Sequence, residues 1–147
     1  MTSSSTHSIE IDAEPQQVWD IICDFAAYPQ WADAVKEVEV IDVDESQRAR
    51  TVRFELDAGV FKDKYQLKYD YESVSRISWE LAEPSNVQKH QVGSYDLEDL
   101  GNGACRVTYS LSVDLSIPML GILKRKAEKM IMDTALKELK KRAEERL

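Results

Sequence analysis

Lys62-Asp63-Lys64-Tyr65-Gln66-Leu67-Lys68-Tyr69-Asp70-Tyr71 settles into strict alternation from Lys64 onward. A β-strand sends successive side chains to opposite faces, so Tyr65, Leu67, Tyr69 and Tyr71 share one face and Lys64, Gln66, Lys68 and Asp70 the other. The same pattern continues on both sides. Upstream, Val52, Phe54 and Leu56 alternate with Arg53 and Glu55. Downstream come Ile77, Trp79 and Leu81, then Tyr95 and Leu97, then Val107, Tyr109, Leu111 and Val113. Five of the six tyrosines therefore fall on one inner surface. A solid core would favour Leu, Val and Ile, because each buried phenol needs a hydrogen-bond partner. A face this rich in Tyr predicts a partly open interior, apolar with polar handles.

Six consecutive strands are predicted, at about 36–44, 47–57, 62–71, 76–82, 87–99 and 104–115. Gly101-Asn102-Gly103 between the last two is a hairpin signal, since both residue types accept positive φ. Clean in/out alternation suits an antiparallel sheet with one wet face. Before these strands, residues 8–12 alternate as a short first strand. Asp12 can cap a helix with Pro15 in its first turn, and Val18, Ile21, Ile22 and Phe25 form one buried stripe. Pro29 disfavours helix at Tyr28 and separates a second, shorter turn from Trp31 to Val35. Pro118 opens a closing helix. Its early apolar residues, including Leu123, Ala127 and Met130, are expected over the sheet's hollow; Met132, Leu136, Leu139 and Ala143 point elsewhere.

The chain of 147 residues is expected to form one domain, 1–147, with residues 1–7 a flexible lead-in. Those residues lack the basic start and apolar stretch of a secretory signal. No apolar run approaches the ~20 residues of a membrane span. Cys23 and Cys105 make no metal or CxxC spacing and read as free thiols of a cytoplasmic protein. A net charge of −8 argues against nucleic-acid binding. The charge is uneven, with nine Lys/Arg and five Asp/Glu in residues 118–147. Two readings of that basic helix stand open. One is peripheral contact with an anionic membrane or an acidic protein, the other a solvated face whose cations suit the helix C-terminus.

The stretch Asp12-Ala13-Glu14-Pro15-Gln16-Gln17-Val18-Trp19-Asp20, followed by Asp24-Phe25-Ala26-Ala27-Tyr28-Pro29-Gln30-Trp31, resembles the START-like (SRPBCC) superfamily. Within it the chain looks most like the polyketide cyclase/dehydrase family and the coenzyme Q-binding START-like proteins. Gly101 through Tyr109 resembles that family's penultimate hairpin and last strand, and Leu136-Lys137-Glu138-Leu139-Lys140 its closing helix. The resemblance spans nearly the whole chain. It implies the α+β helix-grip fold: a curved antiparallel seven-stranded sheet wrapped around a long C-terminal helix, with two short helices after the first strand. It also implies a hydrophobic ligand, since members bind lipids, sterols, quinones, polyketides and hormones, and only some catalyse reactions. One fold carries many functions, so activity does not follow from it.

No catalytic constellation is visible. His7 and His90 lack a second metal ligand at useful spacing, no serine sits in a nucleophile elbow, and no cofactor motif occurs. The leading expectation is a carrier or binding module for a polyketide, quinone or lipid. Its cavity would be lined by Trp31, Phe54, Tyr65, Tyr69, Trp79, Gln91, Tyr95, Tyr109, Leu123 and Met130. Lys89 shares the register of Gln91 and is either a second handle or a rim lysine. An aromatase/cyclase using tyrosine hydroxyls as general acids is the alternative, and a ribosome- or protein-interaction role the second. Phe61 and Met119, at the end of the sheet that receives the chain from Tyr28, read as an entrance gate or as a plain cap on the core.

Overall fold

The alternation that opens at Lys64 belongs to a ten-residue strand inside a single sheet of seven. The computed structural model describes residues 4–59, 62–116 and 121–145. The strands are β1 (Ser4–Ile11), β2 (Val35–Val43), β3 (Ala49–Asp57), β4 (Lys62–Tyr71), β5 (Arg76–Leu81), β6 (Gln88–Gly101) and β7 (Ala104–Leu115). Their spatial order is β1-β7-β6-β5-β4-β3-β2, antiparallel throughout. Helices α1 (Pro15–Cys23) and α2 (Tyr28–Trp31), with a 3-10 turn at Phe25–Ala27 between them, carry the chain from one edge of the sheet to the other. Helix α3 (Gly121–Glu145) closes the fold, packing chiefly on β1, α1 and β7. This is the helix-grip arrangement that the sequence predicts.

The inner face is as the alternation has it. Val52, Phe54, Leu67, Ile77, Trp79, Leu97, Val107 and Leu111 are buried in one cluster, joined by Ile11 of β1, Val18 and Ile22 of α1 and Phe25 of the 3-10 turn. The β6–β7 hairpin turns through Gly101, Asn102 and Gly103 at φ of 80°, 55° and 77°, the left-handed region that Gly and Asn tolerate.

Four local expectations are corrected. First, β1 begins at Ser4, so residues 4–7 are not a floppy lead-in: they pair with Ser112 to Tyr109 of β7. Their polar sequence hides a strand whose backbone bonds are supplied by the neighbour. Second, Glu14 rather than Asp12 caps α1, in a reciprocal capping box with Gln17. The Asp12 backbone N–H is bonded instead to the Glu144 carboxylate at 2.9 Å. Third, Tyr28 is helical although it precedes Pro29. The proline occupies the first turn, where its missing N–H is harmless, and the buried Tyr28 hydroxyl donates to the Ile22 carbonyl and holds the residue there.

The fourth correction concerns α3. Met132, Leu136, Leu139 and Ala143 are fully buried, whereas Ile122, Leu123 and Met130 are 63%, 54% and 56% exposed. The larger apolar set fixes the helix rotation against β1 and α1. At 3.6 residues per turn, Leu123 then lies about 180° and Met130 about 160° from Met132. Pro118, expected as the helix opener, lies outside the described residues.

Candidate functional site

Because α3 rests on the β1 side, the hollow of the sheet over β3–β6 stays open. It forms a cavity of about 470 Å³ between the sheet, α2 and α3. Its wall is a chain of rings. Tyr28 meets Trp31 at 5.0 Å and Phe54 at 6.1 Å between centroids, and Phe54 stacks on Tyr65 at 5.7 Å. Trp79 stands between Tyr69, Tyr95 and Tyr109 at 5.8, 5.3 and 5.8 Å. The indole of Trp79 lies directly over Gly93, its partner across β5–β6, where any Cβ would sit 2.4 Å from the ring. A glycine inside a strand marks such a close approach.

One polar relay crosses this wall. The Trp79 indole N–H donates to Gln91 Oε1 at 2.9 Å, the Gln91 amide donates to Gln88 Oε1, and the Gln88 amide donates to Asp63 Oδ2 at 3.1 Å. Ser85 Oγ donates to the same carboxylate oxygen. The relay depends on a β-bulge between Gln88 and His90. The extra residue, Lys89, turns out to solvent, and Gln88 and Gln91, three apart, both face in. The expectation that Lys89 joins Gln91 inside therefore fails, and Gln88 takes its place.

Several other polar groups lining the cavity have no hydrogen-bond partner among the described residues. Among the described residues nothing bonds the hydroxyls of Tyr65, Tyr69, Tyr95 or Tyr109. Burial raises all four phenols above their usual range and keeps them neutral, as donors. The Trp31 indole N–H and both carboxylate oxygens of Glu128 are buried and have no partner among the described residues. Glu128 projects from α3, is only 5% exposed, and has its carboxyl pushed up by burial, against the pull of Lys124 and Arg125.

Of the residues expected to line the cavity, Trp31, Phe54, Tyr65, Tyr69, Trp79, Gln91, Tyr95, Tyr109 and Met130 do so, Met130 while remaining largely exposed. Leu123 does not; the rotation of α3 turns it to solvent. Phe61 and Met119 lie outside the described residues, but the lining reaches Asp57, Ala58, Gly59, Val87 and Leu115, the end of the sheet they were assigned to. Tyr71 shares the inner face yet sits away from the cavity, donating to the Ala49 carbonyl under the Arg48 guanidinium. Sequence reasoning missed Tyr28, Asp63, Gln88 and Glu128. Gly93 was a usable signal for Trp79; the burial of Glu128 left no trace in the helix pattern.

A broader depression of about 660 Å³ lies on the opposite, outer face, where Ser4, Ser78, Ser94, Ser110 and Ser112 leave the surface low. Its arginines are committed: Arg50 to Asp42, and Arg76 to Glu72 and Asp96. Among the described residues no group of three His, Cys, Asp or Glu could hold a metal ion, and no helix is long and apolar enough to cross a membrane.

Solved structures share this architecture. A START superfamily protein from Mycobacterium smegmatis superposes with a TM-score of 0.93 at 19% identity, over 98% of this chain and 99% of that one. The Zhui aromatase/cyclase from Streptomyces sp. R1128 gives 0.86 at 14% identity, covering 99% and 96%. A conserved protein from Geobacillus kaustophilus gives 0.75 at 16%, covering 97% and 96%. At these identities the likeness is one of fold. No curated protein shows a significant sequence match. The family model described as polyketide cyclase / dehydrase and lipid transport matches residues 2–144, nearly the full chain. The chain therefore belongs to the polyketide cyclase / dehydrase and lipid transport family.

Proposed function

We propose that this protein binds and carries a small hydrophobic ligand bearing a few polar groups, of the polyketide, quinone or lipid class. One observation carries the reading: four neutral tyrosine hydroxyls with no partner among the described residues line a 470 Å³ void walled by aromatic rings. That volume falls within the ~300–1,000 Å³ of ordinary ligand sites. Rings supply apolar contact, and the phenols donate to carbonyl or hydroxyl oxygens. The entrance belongs at the end bearing Asp57, Gly59, Val87 and Leu115. The two free thiols fit the cytoplasm as its compartment.

Catalysis is the second reading, favoured by Glu128, a buried carboxyl raised above its ordinary value inside the cavity. A polyketide aromatase/cyclase would use it, or a phenol, as a general acid. Binding ranks first because the phenols are made weaker acids by burial and, among the described residues, no second group bonds and orients Glu128. Solvent extraction of the purified protein followed by mass spectrometry tests the proposal directly. An apolar molecule bound in near-stoichiometric amount supports it. Replacing Tyr109 by Phe is expected to weaken a carbonyl-bearing ligand by about 0.5–1.5 kcal/mol with the fold intact. Turnover of that ligand by the purified protein alone would transfer the case to the cyclase.

A further inference from the structure

The polar groups around the cavity divide into two sets. Asp63, Ser85, Gln88, Gln91 and the Trp79 indole satisfy one another. Glu128 and the Trp31 N–H do not: their polar atoms are buried and unpartnered among the described residues. A carboxyl that is 5% exposed and unpaired is costly in a folded protein, and it is retained where something else completes it. Glu128 lines the cavity, so that partner is a ligand group.

The charge around the cavity says which kind. Its lining includes Asp33, Asp57, Asp63, Glu128 and Glu138, five acids, against Lys124 alone. Residues 60, 61 and 117–120 carry no charged side chain that would alter this balance. Some of these acids are occupied: Asp57 is paired with Lys62 at 3.8 Å, Glu138 accepts the Asp33 backbone N–H, Asp63 belongs to the relay, and Arg125 acts on Glu128 beside Lys124. Their field nevertheless opposes an anion. The faces of the surrounding tyrosine and tryptophan rings are also electron-rich and attract cations.

We propose that the ligand is an apolar, ring-bearing or long-chain molecule with a basic nitrogen, held as an ammonium group by the Glu128 carboxylate, and that free carboxylic acids are selected against. This rests on the binding role proposed above and names the ligand's charge. A bound ammonium supplies the charged hydrogen bond that Glu128 lacks, and the Trp31 N–H and tyrosine hydroxyls remain for an oxygen elsewhere on the same molecule.

Three probes on one skeleton test it: 1-naphthylmethylamine, 1-naphthalenemethanol and 1-naphthoic acid, titrated calorimetrically into the full chain at neutral pH. The amine is expected to bind about ten-fold tighter than the alcohol, with the acid weakest. In Glu128→Gln, the amine falls to the level of the alcohol, while the alcohol's affinity stays within about three-fold of wild type. Thermal melting of Glu128→Gln checks that the variant is folded. An acid that binds as tightly as the amine overturns the proposal, and so does an amine preference that survives in Glu128→Gln. If the alcohol binds and the amine binds no tighter, this inference fails and the cavity's binding role stands. If none of the three binds, both fail.

Discussion

Replacing Gly93 by Ala tests the construction of the cavity wall. A Cβ at Gly93 would lie 2.4 Å from Cζ2, 2.5 Å from Cε2 and 2.7 Å from Nε1 of Trp79. Carbon atoms in contact stand about 3.5–4.0 Å apart, so the indole must retreat by roughly 1 Å. The way open is into the cavity, which Trp79 lines, since Tyr69, Tyr95 and Tyr109 flank the ring. Such a move breaks the 2.9 Å bond from Nε1 to Gln91 and leaves a buried donor unmet, at a cost of about 1–3 kcal/mol. Overpacking adds about 1–3 kcal/mol. Loss of glycine's backbone freedom offsets roughly 0.5–1 kcal/mol. A net destabilisation of about 2–4 kcal/mol is expected, read as a lower urea midpoint at unchanged m-value. In a Trp79→Phe background the same substitution should cost at least about 1 kcal/mol less, because the clashing ring atoms are gone. Equal costs in the two backgrounds would refute the argument, since the penalty would then not come from the indole.

Three further outcomes are expected. Tyr28→Phe removes the donor to the buried Ile22 carbonyl and should lower unfolding free energy by about 1–2 kcal/mol in urea titrations. Burial raises Glu128 above its ordinary 4.5, so the folded state favours its protonated form and loses stability as pH rises from 4.5 through the folded value. Glu128→Gln should therefore melt higher than wild type at neutral pH, and the gap should close below pH 4.5; a gap that widens in acid contradicts this sign. Burial pushes the Cys23 thiol up to about 12 and raises Cys105, so a disulfide-exchange reagent should label neither in the native protein and both of the chain's two cysteines in denaturant.

What the sequence determined by itself is what period two encodes. Alternation from Lys64 to Tyr71 placed β4, and the same signal placed β7 with its bounds at Ala104 and Leu115; both follow from chemistry within a few residues. Alternation also assigned the tyrosines to one face, because a strand's two faces are fixed once one residue is assigned. Tertiary structure decided the rest, where the outcome depends on a partner distant in the chain. Ser4 to His7 are strand because β7 offers an edge, not because their side chains favour it. Gln88 faces inward because a bulge opposite Leu115 and Asp114 absorbs Lys89, a choice no alternation records. The rotation of α3 was open while its apolar residues formed two sets. The surface of β1 and α1 took Met132, Leu136 and Leu139, turned Leu123 to water and brought Glu128 to the cavity. The cavity itself has the same origin: a helix seated chiefly on β1 and α1 stands off the rings of the remaining strands and leaves a void beneath it.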